Sequence, residues 1–230
     1  MQPRFQRSSP AAGLLIAFVC IALMFAAPLC HQQDPTPPKP APPPTSIEQA
    51  LKAARVMDGE RGLGSCSPVA VVGTRIAWLT CQHVVADEVP SVVKLRNGDT
   101  LPILGVTSHP DADIALLWTT SNPALPIVPL EIGDHAVAGV DILSAGFPRR
   151  ISCLWMSRGV IGDKDEDGNL WTSAPLYFGC SGGPILADGK IVGLCKGLYR
   201  DHRTGDLIET MSIIVPVESF RDWLRENIGR

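Results

Sequence analysis

A serine hydroxyl becomes a useful nucleophile only when a positioned imidazole takes its proton, and the imidazole needs a carboxylate to fix its tautomer and stabilise the imidazolium. The chain carries all three groups in distinctive surroundings. Ser181 lies in Phe178-Gly-Cys-Ser-Gly-Gly-Pro184, where glycines let the backbone turn sharply. The turn over Gly179, Cys180 and Ser181 is the expected oxyanion hole, with the N–H groups of Gly179 and Ser181 as its donors. His83 is expected to close a strand, in Leu79-Thr-Cys-Gln-His-Val-Val85, and Asp113 to open one, in His109-Pro-Asp-Ala-Asp-Ile-Ala-Leu-Leu117. Asp113 is preferred over Asp111 because it directly precedes Ile-Ala-Leu-Leu. His31, His109, His135 and His202 lack such contexts and are expected to face solvent.

The elements that must hold these groups are short and numerous. After Gly62 come runs rich in Val, Ile, Leu and Thr, punctuated by Gly73-Thr74, Asn97-Gly98, Asp167-Gly168, Asp188-Gly189 and Thr204-Gly205. Strands are expected near 67–72, 75–81, 91–96, 101–107, 112–119, 140–145, 152–162, 169–174, 190–196 and 207–215, a density that suits sandwiches or barrels rather than βαβ units. Thr45 and Ser46 before Glu48 and Gln49 form a capping-box pattern, with Ile47, Leu51 and Ala54 following at helical spacing. Val217, Phe220, Leu224 and Ile228 follow Pro216 at helical spacing, and Gly229 is placed to end that helix.

Together these segments resemble the trypsin-like serine peptidases, particularly the HtrA/Deg branch. Thr172-Ser-Ala-Pro-Leu-Tyr-Phe-Gly-Cys-Ser-Gly-Gly-Pro184 resembles that branch's lead into its serine loop, Ala145-Gly-Phe-Pro148 its glycine-x-proline turn, and Ile214-Val-Pro-Val217 the entry to its last helix. The resemblance covers about residues 48–228. It implies an all-β fold of two six-stranded antiparallel barrels with a C-terminal helix, and hydrolysis of peptide bonds in protein or peptide substrates without a cofactor or metal. It also implies that Ala174, Pro175, Leu176, Tyr177, Cys195 and Lys196 line the primary specificity pocket. Those residues supply no carboxylate, so cleavage after Arg or Lys is disfavoured and small or medium apolar residues fit better. With the last expected helix ending at Gly229, the PDZ module of many HtrA-type enzymes is not expected here. Cys180 stands where this branch has asparagine; a Cys180 nucleophile would sit one residue out of place against Gly182-Gly183. The alternative function is a catalytically inactive, peptide-binding relative.

Seven cysteines are present, five of them beyond residue 60. A two-residue Gly73-Thr74 loop would set residue 72 against 75 and, in that register, Cys66 against Cys81, so these two could form a cross-strand disulfide or remain free thiols. Asp163-Lys-Asp-Glu-Asp-Gly-Asn169 imitates the first half of a calcium loop, but Ala174 stands where the closing glutamate belongs, so a solvated hairpin turn is expected.

A net charge of −3 with no long basic run excludes the electrostatic footprint of a nucleic-acid binder. Pro10 to Cys30 carry no charge and follow Arg4 and Arg7, which suits a signal anchor, a cleaved signal peptide or a lipoprotein signal ending at Cys30. Asp34 to Thr45 is proline-dominated and reads as an extended spacer. The expected organisation is therefore a hydrophobic segment over 1–30, a disordered linker over 31–45 and the protease domain over 46–230. That places the domain in the periplasm or outside the cell, tethered to the membrane or secreted.

Overall fold

The computed structural model describes residues 45–58, 60–87, 90–149, 151, 153–166, 168–201 and 203–229. The hydrophobic segment, nearly all of the proline-rich spacer, His31 and His202 lie outside the described residues. No helix among the described residues is long and apolar enough to cross a membrane.

Helix α1, Ser46–Ala50, opens the domain. Thr45 caps it: its side chain accepts from Glu48 N–H, and Glu48 reaches back to the Thr45 N–H at 2.7 Å. Six strands follow: β1 (Ala54–Asp58), β2 (Arg61–Val72), β3 (Arg75–Thr80), β4 (Val92–Lys94), β5 (Thr100–Ser108) and β6 (Ala115–Thr120). They close a barrel in the order β1-β2-β3-β6-β5-β4. A second barrel runs β10-β11-β12-β9-β8-β7, from β7 (Asp141–Gly146), β8 (Trp155–Lys164), β9 (Leu170–Thr172), β10 (Pro184–Ala187), β11 (Lys190–Arg200) and β12 (Leu207–Pro216). The short helix α2, His83–Ala86, leaves β3, and α3, Arg221–Ile228, ends the domain.

Burial explains which strands were legible. Strand β8 alternates between half-buried and exposed positions over Trp155–Val160, whereas β2 is buried without interruption from Leu63 to Ala70. A strand covered on both faces loses its period-two signal and reads as a continuous apolar run. One core cluster joins Trp78, Leu79 and Leu116 of the first barrel to Leu143, Leu186 and Leu194 of the second, and to Phe220, Leu224 and Ile228 at the C-terminal end. The expected helical stripe Val217, Phe220, Leu224, Ile228 is thus buried, and Gly229 ends α3 in the left-handed region at φ 71°.

Several expectations need correction. Ala54 belongs to β1 rather than to the first helix, and both β1 and β10 were unanticipated. Strand β3 stops at Thr80, so His83 opens α2 instead of closing a strand, and Asp113 lies in the turn before β6. The hairpin register begins as expected, with Val72 opposite Arg75. A bulge between Pro68 and Ala70 then shifts it by one, setting Ser67 opposite Leu79. The next step takes Cys66 to Thr80 and away from Cys81. Both cysteines are free thiols, so the disulfide is replaced by its stated alternative.

Candidate active site

The serine loop is held from both barrels. Ser65, fully buried in β2, donates its N–H to Ser181 O at 2.8 Å and its hydroxyl to Gly179 O at 2.8 Å. The same hydroxyl accepts from Phe147 N–H at 2.8 Å, and Ser65 O accepts from the Thr80 hydroxyl at 2.8 Å. Ser65 therefore ties the loop to the strand that leads to His83. Glycine is required where the loop touches its supports: a Cβ on Gly182, at φ 83°, would lie 2.2 Å from Thr80 Oγ1, and one on Gly179, at φ 99°, 2.6 Å from Phe147 O.

Asp113 grips His83 twice. One carboxylate oxygen lies 2.8 Å from Nδ1 of the ring and the other accepts the His83 backbone N–H at 2.9 Å. Burial alone would raise the Asp113 pKa, but the His83 ring, the His83 N–H and the charges of His83 and Lys196 outweigh it, so the carboxyl is held below the usual aspartate value. With Nδ1 committed to the carboxylate, the donor tautomer on that side is fixed and Nε2 is left for proton transfer.

His83 and Ser181 line one cleft of about 240 Å³, together with Leu63, Val84, Asp87, Arg149, Tyr177, Phe178, Gly179, Lys196, Gly197 and Leu198. The Ser181 hydroxyl donates to Lys196 O at 3.1 Å, so its proton points at that carbonyl. The structure thus brings His83 and Asp113 into direct contact and sets Ser181 in their cleft with its hydroxyl bonded elsewhere.

Among the described residues, the N–H groups of Gly179 and Ser181 have no acceptor, while Cys180 N–H is taken by Tyr177 O at 2.9 Å. Of the three residues of the turn, Cys180 therefore has no free N–H to offer. Its thiol is 1% exposed and pushed up to about 11 by burial, which leaves it protonated and unsuited to attack. The expected specificity pocket also needs revision. Of its six residues only Tyr177 and Lys196 line the cleft; Ala174, Leu176 and Cys195 are packed in the core of the second barrel, and Pro175 uses its carbonyl to accept the Ser157 hydroxyl at 2.7 Å.

Two positioning groups escaped sequence reasoning. Ser65 sits in a strand with no motif of its own, and only the tertiary fold shows what its hydroxyl meets. His109, expected in solvent, accepts from the N–H groups of Asp111 and Ala112 at 3.0 and 2.9 Å and so folds the turn that presents Asp113. Its ring also lies 5.2 Å from that of Trp223 in α3. His135 faces Glu218 at 3.6 Å and is largely exposed, as expected. Of the Asp163–Asn169 stretch, Asp163 and Lys164 end β8, Asp165 N–H donates to Asn169 O at 2.8 Å on the way to β9, and Asn169 Oδ1 accepts from the Lys196 ammonium at 2.9 Å. Cys81, His83 and Asp113 place potential ligand atoms within 4.8 Å of one another. The Cys81 sulfur instead hydrogen-bonds Cys195 O at 3.2 Å, and burial raises its pKa, so a neutral thiol is the expected state.

Two closed antiparallel barrels, with a carboxylate-bound histidine and a glycine-rich serine loop lining one cleft, define a two-barrel class of protein. Comparison with known proteins narrows this. The family described as trypsin-like peptidase domain matches residues 64–194, and the chain belongs to that family. Among curated relatives, the serine endoprotease DegS of Escherichia coli K12 is 24% identical over 234 residues, covering 91% of this chain and 65% of its own. Bovine mitochondrial serine protease HTRA2 is 26% identical over 158 residues, covering 64% of this chain and 32% of its own. A probable periplasmic serine endoprotease, DegP-like, of Pseudomonas fulva is 28% identical over 152 residues, covering 63% and 31%. The chain thus spans from about a third to just under two thirds of the length of these relatives. Among solved structures, the HtrA-type protease AlgW with a decapeptide superposes with TM-score 0.64 at 18% identity, covering 81% of this chain and 67% of that one. The serine endoprotease of Yersinia pestis superposes with TM-score 0.62 at 22% identity, covering 80% and 67%. At these identities the superpositions establish the shared fold.

Proposed function

We propose that the domain is a serine endopeptidase, with Ser181 as nucleophile, His83 as general base and then acid, and Asp113 as the carboxylate that orients it. The observation that carries this reading is the double hydrogen bond from His83 to Asp113, 2.8 and 2.9 Å, beside a cleft that contains Ser181. In the reaction the Ser181 hydroxyl turns from Lys196 O to His83 Nε2. Its oxygen then attacks the peptide carbonyl carbon as the proton passes to the ring. The carbonyl oxygen gains the negative charge and is received by the N–H groups of Gly179 and Ser181. Collapse expels the amine with the proton from His83, and water, deprotonated by His83, releases the acyl group from Ser181.

A polypeptide substrate is supported by the sheet edge in the cleft. The ladder of β10 with β11 ends at Leu194, so among the described residues the β10-facing edge of Lys196–Leu198 has no strand beside it, and these three residues line the cleft. An extended peptide adds there as a further strand, which gives affinity through main-chain hydrogen bonds. The family and the relatives named as serine proteases count against the inactive peptide-binding alternative. The charge-free N-terminal run and the relative named as periplasmic support a domain outside the cytoplasm. Labelling by a fluorophosphonate probe, lost in Ser181→Ala, tests the assignment. A wild-type protein that folds but neither labels nor cleaves an unfolded protein overturns it.

A further inference from the structure

A second recess, of about 390 Å³, lies between the first barrel and the segment after β7 and shares no residue with the cleft. Three cations line it: Arg55 of β1, Lys94 of β4 and Arg96 of the turn that follows. Among the described residues no carboxylate lines it, and none of the three is ion-paired. Arg55 and Lys94 are direct partners in the β1–β4 ladder, so their side chains leave the same face of the sheet with Cβ atoms about 5 Å apart, where like charges repel. The Arg55 guanidinium is nonetheless held in place. Its Cζ lies 5.9 Å from the centre of the Phe147 ring, and it takes the space of a side chain on Gly62, where a Cβ would come within 2.7 Å of Nη2. Its Nε is buried without a hydrogen-bond partner among the described residues. A buried donor without an acceptor costs free energy, as do three like charges converging on one hollow, and a single polyanion relieves both.

We infer that this recess binds a phosphate or phosphomonoester dianion. A carboxylate would neutralise one of the three cations and leave the others facing each other. A phosphate group carries a charge of about −2 and presents its oxygens in several directions, so it accepts from the two guanidinium forks and the Lys94 ammonium together. The recess is concave and small, which suits a single such group rather than a run of phosphates. Cys153, an exposed free thiol, stands on the same wall and is covered when the site is filled. Free phosphate and the headgroup of phosphatidic acid offer the three cations the same chemistry, and the experiment separates these sources.

The test titrates the full chain, in a non-ionic detergent, with inorganic phosphate, glycerol phosphate and dihexanoyl phosphatidic acid, each against chloride at equal ionic strength. Calorimetry reads binding, and the rate at which a neutral maleimide modifies Cys153, followed by mass spectrometry, reads where it occurs. Saturable binding that slows modification of Cys153 is expected. Tighter binding of the short-chain lipid than of glycerol phosphate identifies the headgroup as the source, equal or weaker binding the free ion, and either supports the site. Arg96→Gln, at an exposed turn position, should weaken binding about tenfold, the usual effect of losing one charge-assisted hydrogen bond. Lys94→Gln repeats the measurement if that variant folds poorly. Lys190→Gln, which removes a cation of β11 outside the recess, should leave binding unchanged. The inference is overturned if none of the three ligands saturates, if chloride has the same effect, or if Lys190→Gln weakens binding as much as Arg96→Gln. Binding is read without turnover, so the outcome is independent of whether Ser181 attacks a substrate.

Discussion

Replacing Ser65 with alanine removes one oxygen and leaves two buried groups without partners. Gly179 O loses the donor at 2.8 Å and Phe147 N–H loses the acceptor at 2.8 Å, while the Ser65 N–H bond to Ser181 O survives because it is main chain. An orphaned buried polar group costs about 1–3 kcal/mol, and the two share one cavity, so a loss of roughly 2–4 kcal/mol is expected. For a domain of this size that lowers Tm by about 5–15 °C. The catalytic effect is separable. Gly179 O anchors the peptide plane between Gly179 and Cys180, so its release loosens the aim of the adjoining oxyanion donors. Complete loss of one such donor lowers kcat by about a hundredfold or more, and a loosened pair should lower it by about tenfold with KM little changed. Ser65→Thr keeps the hydroxyl but forces a methyl into a fully buried position, costing about 1–3 kcal/mol of packing while retaining kcat. Urea denaturation and steady-state kinetics on one peptide measure both effects. The reasoning is refuted if Ser65→Ala keeps wild-type stability and kcat, or if alanine and threonine reduce kcat alike.

Ser181→Ala should abolish hydrolysis and leave the unfolding curve unchanged, whereas Cys180→Asn should keep activity while losing stability, because it buries an amide in the second core; survival of activity in Ser181→Ala with loss in Cys180→Asn would instead make the thiol the nucleophile. The lowered pKa of Asp113 contributes stability that is fully present above the ordinary aspartate value, near pH 4, and is lost as the pH falls through the folded-state value. Asp113→Asn should therefore flatten the acid limb of a stability–pH curve; an unchanged limb counts against the linkage. Among the five domain thiols, a disulfide-exchange reagent should modify Cys153 rapidly and Cys66, Cys81, Cys180 and Cys195 only on unfolding, and fast reaction of all five would contradict the burial described.

The candidate site residues stood out in the sequence because the chemistry proposed for them demands local chain features: glycines around Ser181, and an apolar run starting just beyond Asp113. Most strands were legible where one face meets water and the pattern alternates, and the last helix was legible from its four apolar positions and Gly229. What the linear chain could not disclose depends on how the barrels meet. The one-residue bulge at Pro68–Ala70 carries no composition signal, yet it shifts the register that would have paired Cys66 with Cys81. The pocket walls were misassigned because alternate residues of Ala174–Tyr177 turn into the barrel core, and which of them do so is settled by packing. Ser65 looks like any strand serine until β2 passes beneath Gly179 and Ser181. Its role arises only when two barrels distant in sequence close on each other and a buried carbonyl and N–H must find partners.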